Sequence, residues 1–224
     1  MATVVNYLRR NPSAGLLAVQ LLGFLLYPLM EASPSSRALF GAFGLVVLAA
    51  ALWVVRRSPW LTWLGLLLAL PVVALSAITA ISPRPQFLVW SAALESLFYF
   101  YATGSLIAYM LQDWVATTDE LFAAGATFTL LAWAFAYAYV VCEAAFPGSF
   151  AAAGSAAEGR TWMELLYLSV AVLSSVGLSD IIPVTPMARA IVMLESFAGV
   201  MYIALVVSRL IGMGTLSRAR ETKD

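Results

Sequence analysis

Long apolar runs, separated by short polar segments, follow one another along most of the chain. About 20 apolar residues in a row make a helix long enough to cross a bilayer. Six runs have roughly this length: residues 14–30, 38–55, 59–81, 87–111, 119–146 and 186–213. The pattern therefore predicts an all-α membrane protein with six transmembrane helices.

Polar residues at the boundaries of these runs supply helix caps. Thr117 and Glu120 have the spacing of a capping box at the start of the fifth run. Thr185 precedes Pro186 at the start of the sixth run, and proline is favoured at the first position of a helix. These residues predict where the last two long helices begin.

One further segment is helical by its pattern but too short to cross a membrane. It begins with a second capping box, Thr161 and Glu164, and its apolar run lasts about three turns. The chain then reads SSVGLSD, followed by IIPVTP and the last long run. A helix this short must enter the membrane and return, and irregular backbone at membrane depth is tolerated only inside protein or along an aqueous cavity. SSVGLSD is therefore predicted to line a water-filled path, at which the short helix points the partly negative end of its dipole.

Composition supports a membrane protein and narrows the chemistry. Hydrophobic residues make up 62% of the chain and charged residues 11%, against roughly 25% charged residues in soluble domains. The net charge is zero, so charge indicates no nucleic-acid partner. With one cysteine, Cys142, and no histidine, the chain has neither an intrachain disulfide nor a Cys/His zinc site. No nucleophile motif or paired carboxylates indicate an enzyme, and we expect no cofactor.

The order of short helix, SVGLSD, IIPVTP and long last helix resembles the pore of the potassium-channel superfamily, whose filter reads Thr-Val-Gly-Tyr-Gly-Asp. Ser175 stands where the family has threonine, and Val176, Gly177 and Asp180 match the family residues. The resemblance of the pore covers about residues 119–213, and the six-run layout is similar to that of voltage-gated members. We call residues 175–180 the filter-like segment.

The resemblance implies a homotetramer in which four filter-like segments surround one axis and replace the water shell of a permeating K⁺ or Na⁺ with backbone carbonyls. It implies three parts of the chain: a four-helix, sensor-like domain at 1–112, a pore domain at 113–213, and a short cytoplasmic tail at 214–224. The pore domain holds an outer helix, the pore helix, the filter and an inner helix. The implied partners are further copies of the chain and membrane lipids.

Two of the departures from the family pattern affect the expected geometry of the filter. Leu178 replaces the tyrosine whose hydroxyl ties the filter to the surrounding pore helices, and Ser179 replaces the second glycine. A serine in the left-handed region costs about 1–2 kcal/mol. We expect the inner half of the filter to keep its carbonyl sites and the outer half to change shape, which weakens discrimination of K⁺ from Na⁺. A potassium-selective channel and a non-conducting channel-like subunit remain alternatives.

The distribution of basic residues orients the predicted bundle. Six spans place both ends on one side, and with both ends cytoplasmic, eight basic residues lie inside and four outside, as the positive-inside rule requires. The inner residues are Arg9, Arg10, Arg56, Arg57, Arg209, Arg218, Arg220 and Lys223, and the outer ones are Arg37, Arg84, Arg160 and Arg189. The expected location is the cell membrane.

The fourth run carries no voltage-sensing charge. A voltage sensor repeats arginine at every third position of this helix, whereas no Lys or Arg lies between Gln86 and Gln112. A conventional voltage sensor is therefore not expected.

Three further residues are candidates for function. Glu95 and Glu195 are acids at membrane depth, where ionisable residues are functional candidates by default. The structural alternatives are that Glu95 bonds to a neighbouring helix and that Glu195 supports the pore helix. A more distant alternative is a proton or ion transporter that uses both acids. Gly199 lies twenty residues after Ser179, where family members often carry a hinge glycine, and it is the predicted bending point of the last helix.

Overall fold

The computed structural model describes residue 7 and the ranges 11–31, 34–55, 62–81, 85–112, 117–152 and 159–221. These residues form mostly helix, together with two short strands. In chain order the elements are α1 (Pro12–Glu31), α2 (Pro34–Val55), α3 (Thr62–Ile81), α4 (Pro85–Met110), α5 (Thr118–Ala145), β1 (Phe150–Ala152), α6 (Trp162–Leu173), β2 (Ile181–Pro183) and α7 (Pro186–Glu221).

Each of the six long apolar runs forms one helix, and the short segment forms α6. The last helix differs from its prediction, because α7 continues to Glu221 instead of ending at 213. No proline follows Pro186 in the sequence, so no proline interrupts the helix near residue 213. Much of the predicted tail at 214–224 is therefore helical.

Two described helical segments are long and apolar enough to cross a membrane, Thr118–Ala145 in α5 and Pro186–Val206 in α7. The shorter apolar segments that the structure describes are Pro12–Leu26, Phe43–Val55, Trp63–Ile78 and Trp162–Leu173. Six of the twelve basic residues used to orient the bundle lie outside the described residues: Arg9, Arg10, Arg56, Arg57, Arg84 and Lys223.

The helix α5 is the centre of the packing, since α1, α4, α6 and α7 all contact it. Its Trp133 is buried and lies edge-on to Tyr99 of α4 and Trp162 of α6, with ring centroids 5.6 Å and 5.2 Å away. Edge-to-face aromatic pairs of this kind are worth about 0.5–1.5 kcal/mol beyond the area they bury. The first turn of α6 is thereby fixed against the main bundle.

Polar contacts attach α1 to the first turn of α5. Asp119 accepts hydrogen bonds from the backbone N–H and the hydroxyl of Ser13, both at 3.0 Å, and from the hydroxyl of Tyr109 at 3.1 Å. The free N–H groups at the start of a helix favour such a carboxylate. Asp119 therefore caps α1 from another helix.

A two-stranded sheet closes the segment between α5 and α7. The strands β1 and β2 are antiparallel, and Ala152 pairs with Ile181. Ser149 adds to this closure, because its hydroxyl lies 2.9 Å from the hydroxyl of Thr185 and its carbonyl accepts from the N–H of Val184 at 2.9 Å. The chain that contains α6 thus begins and ends at the same end of α5, as the predicted re-entrant path requires.

Candidate functional site

A complete capping box starts α6. The hydroxyl of Thr161 accepts from the N–H of Glu164 at 3.3 Å, and the carboxylate of Glu164 accepts from the N–H of Thr161 at 2.6 Å. Thr117 and Thr185 likewise accept from the N–H groups of Glu120 and Ala188 at the starts of α5 and α7. The helix starts predicted at Thr161, Thr117 and Thr185 are confirmed.

The filter-like segment turns back at the end of α6. Ser174 keeps a helical backbone, whereas Ser175 and Gly177 have φ angles of 61° and 70° in the left-handed region. The N–H of Ser175 donates to the carbonyl of Val172 at 3.0 Å, and the N–H of Gly177 donates to the carbonyl of Ala171 at 2.9 Å. Left-handed residues after a helix supply such bonds to its last carbonyls. The segment is therefore folded onto the C-terminal end of α6.

The outer half of the segment has another geometry. Among the described non-glycine residues, Ser175 has a positive φ angle and Ser179 does not. The hydroxyl of Ser179 accepts from the N–H of Ile181 at 3.1 Å. The left-handed strain that the sequence placed at Ser179 is thus found at Ser175. Leu178 and Val176 are 70% and 62% exposed. Asp180 is also exposed, so a single chain leaves the segment open on its outer surface.

Glu195 joins three helices. It is fully buried on α7 and is hydrogen-bonded to the hydroxyls of Tyr139 on α5 and Ser169 on α6. The hydroxyl of Ser169 also lies 2.8 Å from the carbonyl of Ala132 on α5. We call these four residues the Glu195 network. The contact with Ser169 is the one that the structural alternative for Glu195 expects, in which Glu195 supports the short helix.

Gly199 lies one turn further along α7 on the same face. A methyl group at this position would overlap the carbonyl of Leu173, the last residue of α6. The glycine therefore allows the two backbones to approach closely. The helix α7 is continuous through Gly199.

Glu95 belongs to a separate group of residues. Its carboxylate accepts from the hydroxyl of Ser91 at 3.1 Å and is hydrogen-bonded to Tyr137 of α5. Glu95 and Glu195 thus have different partners, and the structure does not bring them together through a shared side chain. These contacts join α4 to α5, as the structural alternative for Glu95 expects.

One ion pair between the first turn of α5 and the interior of α7 was not expected from the sequence. Arg209 contacts the carboxylate of Glu120 at 3.3 Å, and both side chains are mostly buried. The sequence indicated Glu120 as a capping residue and Arg209 as a topology marker. Their separation by 89 positions leaves no local pattern that would reveal the pair. Within the described ranges, no cluster of three or more Cys, Asp or Glu residues could hold a metal ion.

The site thus combines a short helix, an exposed turn with two left-handed residues, and two helices able to cross a membrane. A family model described as "Ion channel" matches residues 96–215, which is more than half of the chain. The chain belongs to this ion-channel family. The prediction of a channel protein that is not an enzyme is thereby confirmed. A search of curated proteins and a search of solved structures gave no match.

Proposed function

We propose that the protein is one subunit of a tetrameric, potassium-channel-like channel that conducts monovalent cations through four copies of the filter-like segment. The observation that carries the proposal is the path of the chain between α5 and α7. The twelve-residue helix α6 follows β1, and the chain turns at Ser175 and Gly177 after this helix. The chain then comes back to β1, because β2 pairs with it. Within an ion-channel family, this geometry supports a pore loop.

The chemistry of the loop favours cations. The C-terminal end of α6 carries the partly negative pole of the helix dipole, and the filter-like segment follows it directly. Four exposed Asp180 side chains would surround the mouth of a tetrameric pore and exclude anions. No cofactor takes part, and the permeating ion is K⁺ or Na⁺.

The outer half of the segment supports weak preference for K⁺. Discrimination depends on the number and field strength of successive carbonyl sites, or on their fit to the ion. Leu178 has no hydroxyl that could bond the filter to its surroundings. The Ser179 hydroxyl accepts a hydrogen bond from the N–H of Ile181 in its own chain. A permeating ion would keep more of its hydration water at the outer half of the segment, so Na⁺ would lose less hydration free energy on entering.

The remaining features of the proposal follow the family layout. Six spans would place both ends in the cytoplasm of a cell-membrane protein, with a sensor-like domain at 1–112 and a pore domain at 113–213. Gly199 remains the proposed bending point for gating, with its contact to Leu173 as an added constraint.

Reversal potentials test the proposal. We expect purified protein in a planar bilayer, under a K⁺/Na⁺ gradient, to reverse well short of the potassium equilibrium potential. Leu178→Tyr combined with Ser179→Gly should move the reversal towards potassium, because it restores the family's hydroxyl and glycine. Leu178→Met, which keeps an apolar side chain without a hydroxyl, is the matched control and should leave the reversal in place.

Each alternative has its own outcome in this experiment. A wild-type reversal at the potassium equilibrium potential would show a selective channel and refute weak selectivity. Absence of current would support a non-conducting subunit. An unchanged reversal in the double variant would show that the outer half does not set selectivity. The transporter alternative is not favoured, because Glu95 and Glu195 have separate hydrogen-bond partners.

A further inference from the structure

A buried carboxyl group lies where the short helix meets both long helices. Glu195 has no exposed surface, and Ser169 is also fully buried. The partners of the carboxyl are two hydroxyls, Tyr139 on one oxygen and Ser169 on the other. An ionised carboxylate in such a place would have no cationic partner among the described residues, and burying an unpaired charge is strongly unfavourable.

The protons available to the Glu195 network decide its charge. The network has three close oxygen–oxygen contacts: Tyr139 with Glu195, Ser169 with Glu195, and Ser169 with the carbonyl of Ala132. Each contact needs one proton between its oxygens. A tyrosine and a serine hydroxyl supply one proton each, and a backbone carbonyl supplies none. The third proton can come only from Glu195, since without it Ser169 would have to share one proton between two acceptors.

We infer that Glu195 is a proton-binding site, and that the bound proton holds α6 against α7 and so controls the filter-like segment. This inference rests on the proposed channel function for its effect on conduction, but not for the proton itself. The neutral acid donates to Ser169, Ser169 donates to Ala132, and Tyr139 donates to the second oxygen of Glu195. All three contacts are then satisfied.

Ionisation breaks this arrangement. When the proton leaves to a base in solution, Ser169 has one proton for two acceptors, and one of its two close contacts becomes repulsive. Ser169 lies on the same face of α6 as Leu173, which ends the helix four residues later, and only Ser174 separates Leu173 from the filter-like segment. Movement of Ser169 away from Glu195 or Ala132 therefore displaces the base of the filter. Because the proton is lost as pH rises, the displaced state belongs to alkaline pH.

Other titratable groups near the site are few among the described residues. From α5, Tyr139 contacts Glu195 directly, and Cys142 lies beside Tyr139, with its sulfur 3.8 Å from the hydroxyl of Ser149. From α6, Ser169 does not titrate. On α7 itself, the nearest charged residue is Arg189, which donates to the carbonyl of Pro183. Tyr139 is thus the titratable side chain that faces Glu195, and it is neutral in the acid-bound network.

Infrared spectroscopy tests the proton without reference to ion flow. We expect purified wild-type protein to show the carbonyl band of a protonated carboxylic acid, and Glu195→Gln to lose it. Glu95→Gln is the matched control, since it removes an acid whose partners are Ser91 and Tyr137, and the band of Glu195 should remain. A spectrum in which Glu195→Gln loses no such band would overturn the inference.

A second variant covers the case in which Glu195→Gln does not assemble. Ser169→Ala removes the acceptor of the acid proton, so the band should shift to higher frequency. In the wild type, the band should disappear as pH rises. Persistence at the wild-type frequency in Ser169→Ala would contradict the network.

The effect on the pore is read from pH profiles. We expect the thermal midpoint and the ion flux of the wild type to fall together as the infrared band is lost, with flux falling severalfold. Glu195→Gln cannot ionise, and its amide can still donate to Ser169, so its midpoint should no longer follow that pH change. A wild-type pH profile in Glu195→Gln would overturn the inference. Absence of flux with the infrared and melting results intact would reject the channel proposal alone.

Discussion

Ser175 carries the unusual backbone of the candidate filter. It is the residue after the cap of α6, a position that usually holds glycine in helices that end with a left-handed turn. Its φ angle of 61° costs a non-glycine residue about 1–2 kcal/mol. Its N–H is bonded to the carbonyl of Val172, which offsets part of this cost.

Glycine at this position should stabilise the protein. We expect Ser175→Gly to increase the free energy of unfolding by about 1 kcal/mol, because glycine adopts positive φ without steric cost. The thermal unfolding midpoint should therefore rise. Ser174→Gly is the matched control. Ser174 has a helical φ of −76° and its hydroxyl donates to the carbonyl of Ala171 at 3.2 Å, so glycine there should lower the midpoint. A lower midpoint for Ser175→Gly would show that the serine side chain stabilises the turn more than its backbone strains it.

The sequence located this turn but not its strained residue. The motif SVGLSD indicated non-helical backbone, and glycine at 177 suits a positive φ. It also suggested strain at Ser179, by comparison with a family glycine. The left-handed conformation of Ser175 depends on where α6 ends and on which of its carbonyls accept the amides of the segment. Serine has no preference for the left-handed region that would predict this conformation from the sequence.

At the scale of the elements, the contact between α6 and α7 has a regular register. Ser169 contacts Glu195, and Leu173 contacts Gly199. Ser169 and Leu173 are four positions apart on α6, and Glu195 and Gly199 are four positions apart on α7, so the contacts lie along one face of each helix. We therefore expect a movement of α7 at Gly199 to be transmitted to the end of α6.

An alanine at Gly199 should separate these helices. The added methyl group would overlap the carbonyl of Leu173, and overpacking of this kind costs about 1–3 kcal/mol. We expect Gly199→Ala to lower the thermal midpoint and to bias open probability in single-channel records. The control is Gly44→Ala in α2, where a methyl group meets no atom within 4 Å and helix propensity favours alanine by about 1 kcal/mol.

Two results would contradict this explanation. Equal effects of the two alanine variants would show that the close approach to Leu173 does not matter. A changed open probability with an unchanged midpoint would favour the simple hinge, in which glycine acts through helix flexibility alone.

Helix starts were predictable because their signals are local. Thr161 and Glu164 stand three residues apart, and the structure shows both bonds of their capping box. The strands β1 and β2 were not predicted, because each has three residues and their pairing joins Phe150 to Pro183 across α6. No alternating pattern can be recognised over three residues.

On the scale of the whole molecule, the order of helices was predictable and their long-range contacts were not. Apolar runs gave the sequence of elements, since period and length are properties of a single segment. The pair formed by Glu120 and Arg209 connects α5 to α7 across 89 positions. The cap that Asp119 provides for Ser13 spans 106 positions. Such contacts depend on how helices are placed together, which composition and spacing do not determine.

The helix α7 has one face that its own chain does not cover. Glu195, Gly199 and Tyr202 form the buried face. Met193, Phe197 and Val200 form an exposed stripe with the spacing of one helix face. A single filter-like segment cannot surround an axis, so the channel proposal requires copies of the chain arranged in a closed ring. The exposed stripe is the surface that we expect such a ring to cover.

The mass of the detergent-solubilised protein tests this ring directly. We expect a homotetramer of the 24.1 kDa chain, with residues 175–179 of each copy at the axis. Association of membrane helices is driven by close packing. Phe197→Ala removes a side chain that is 67% exposed in one chain, and it should shift the protein towards smaller species if neighbouring copies pack on it. Leu70→Ala in α3 is the matched control, because Leu70 is also 67% exposed but lies outside the proposed pore domain, where lipid can fill the space. A monomer or dimer as the sole wild-type species would refute the pore, whereas equal mass distributions in the two variants would place the subunit contact on another face of α7.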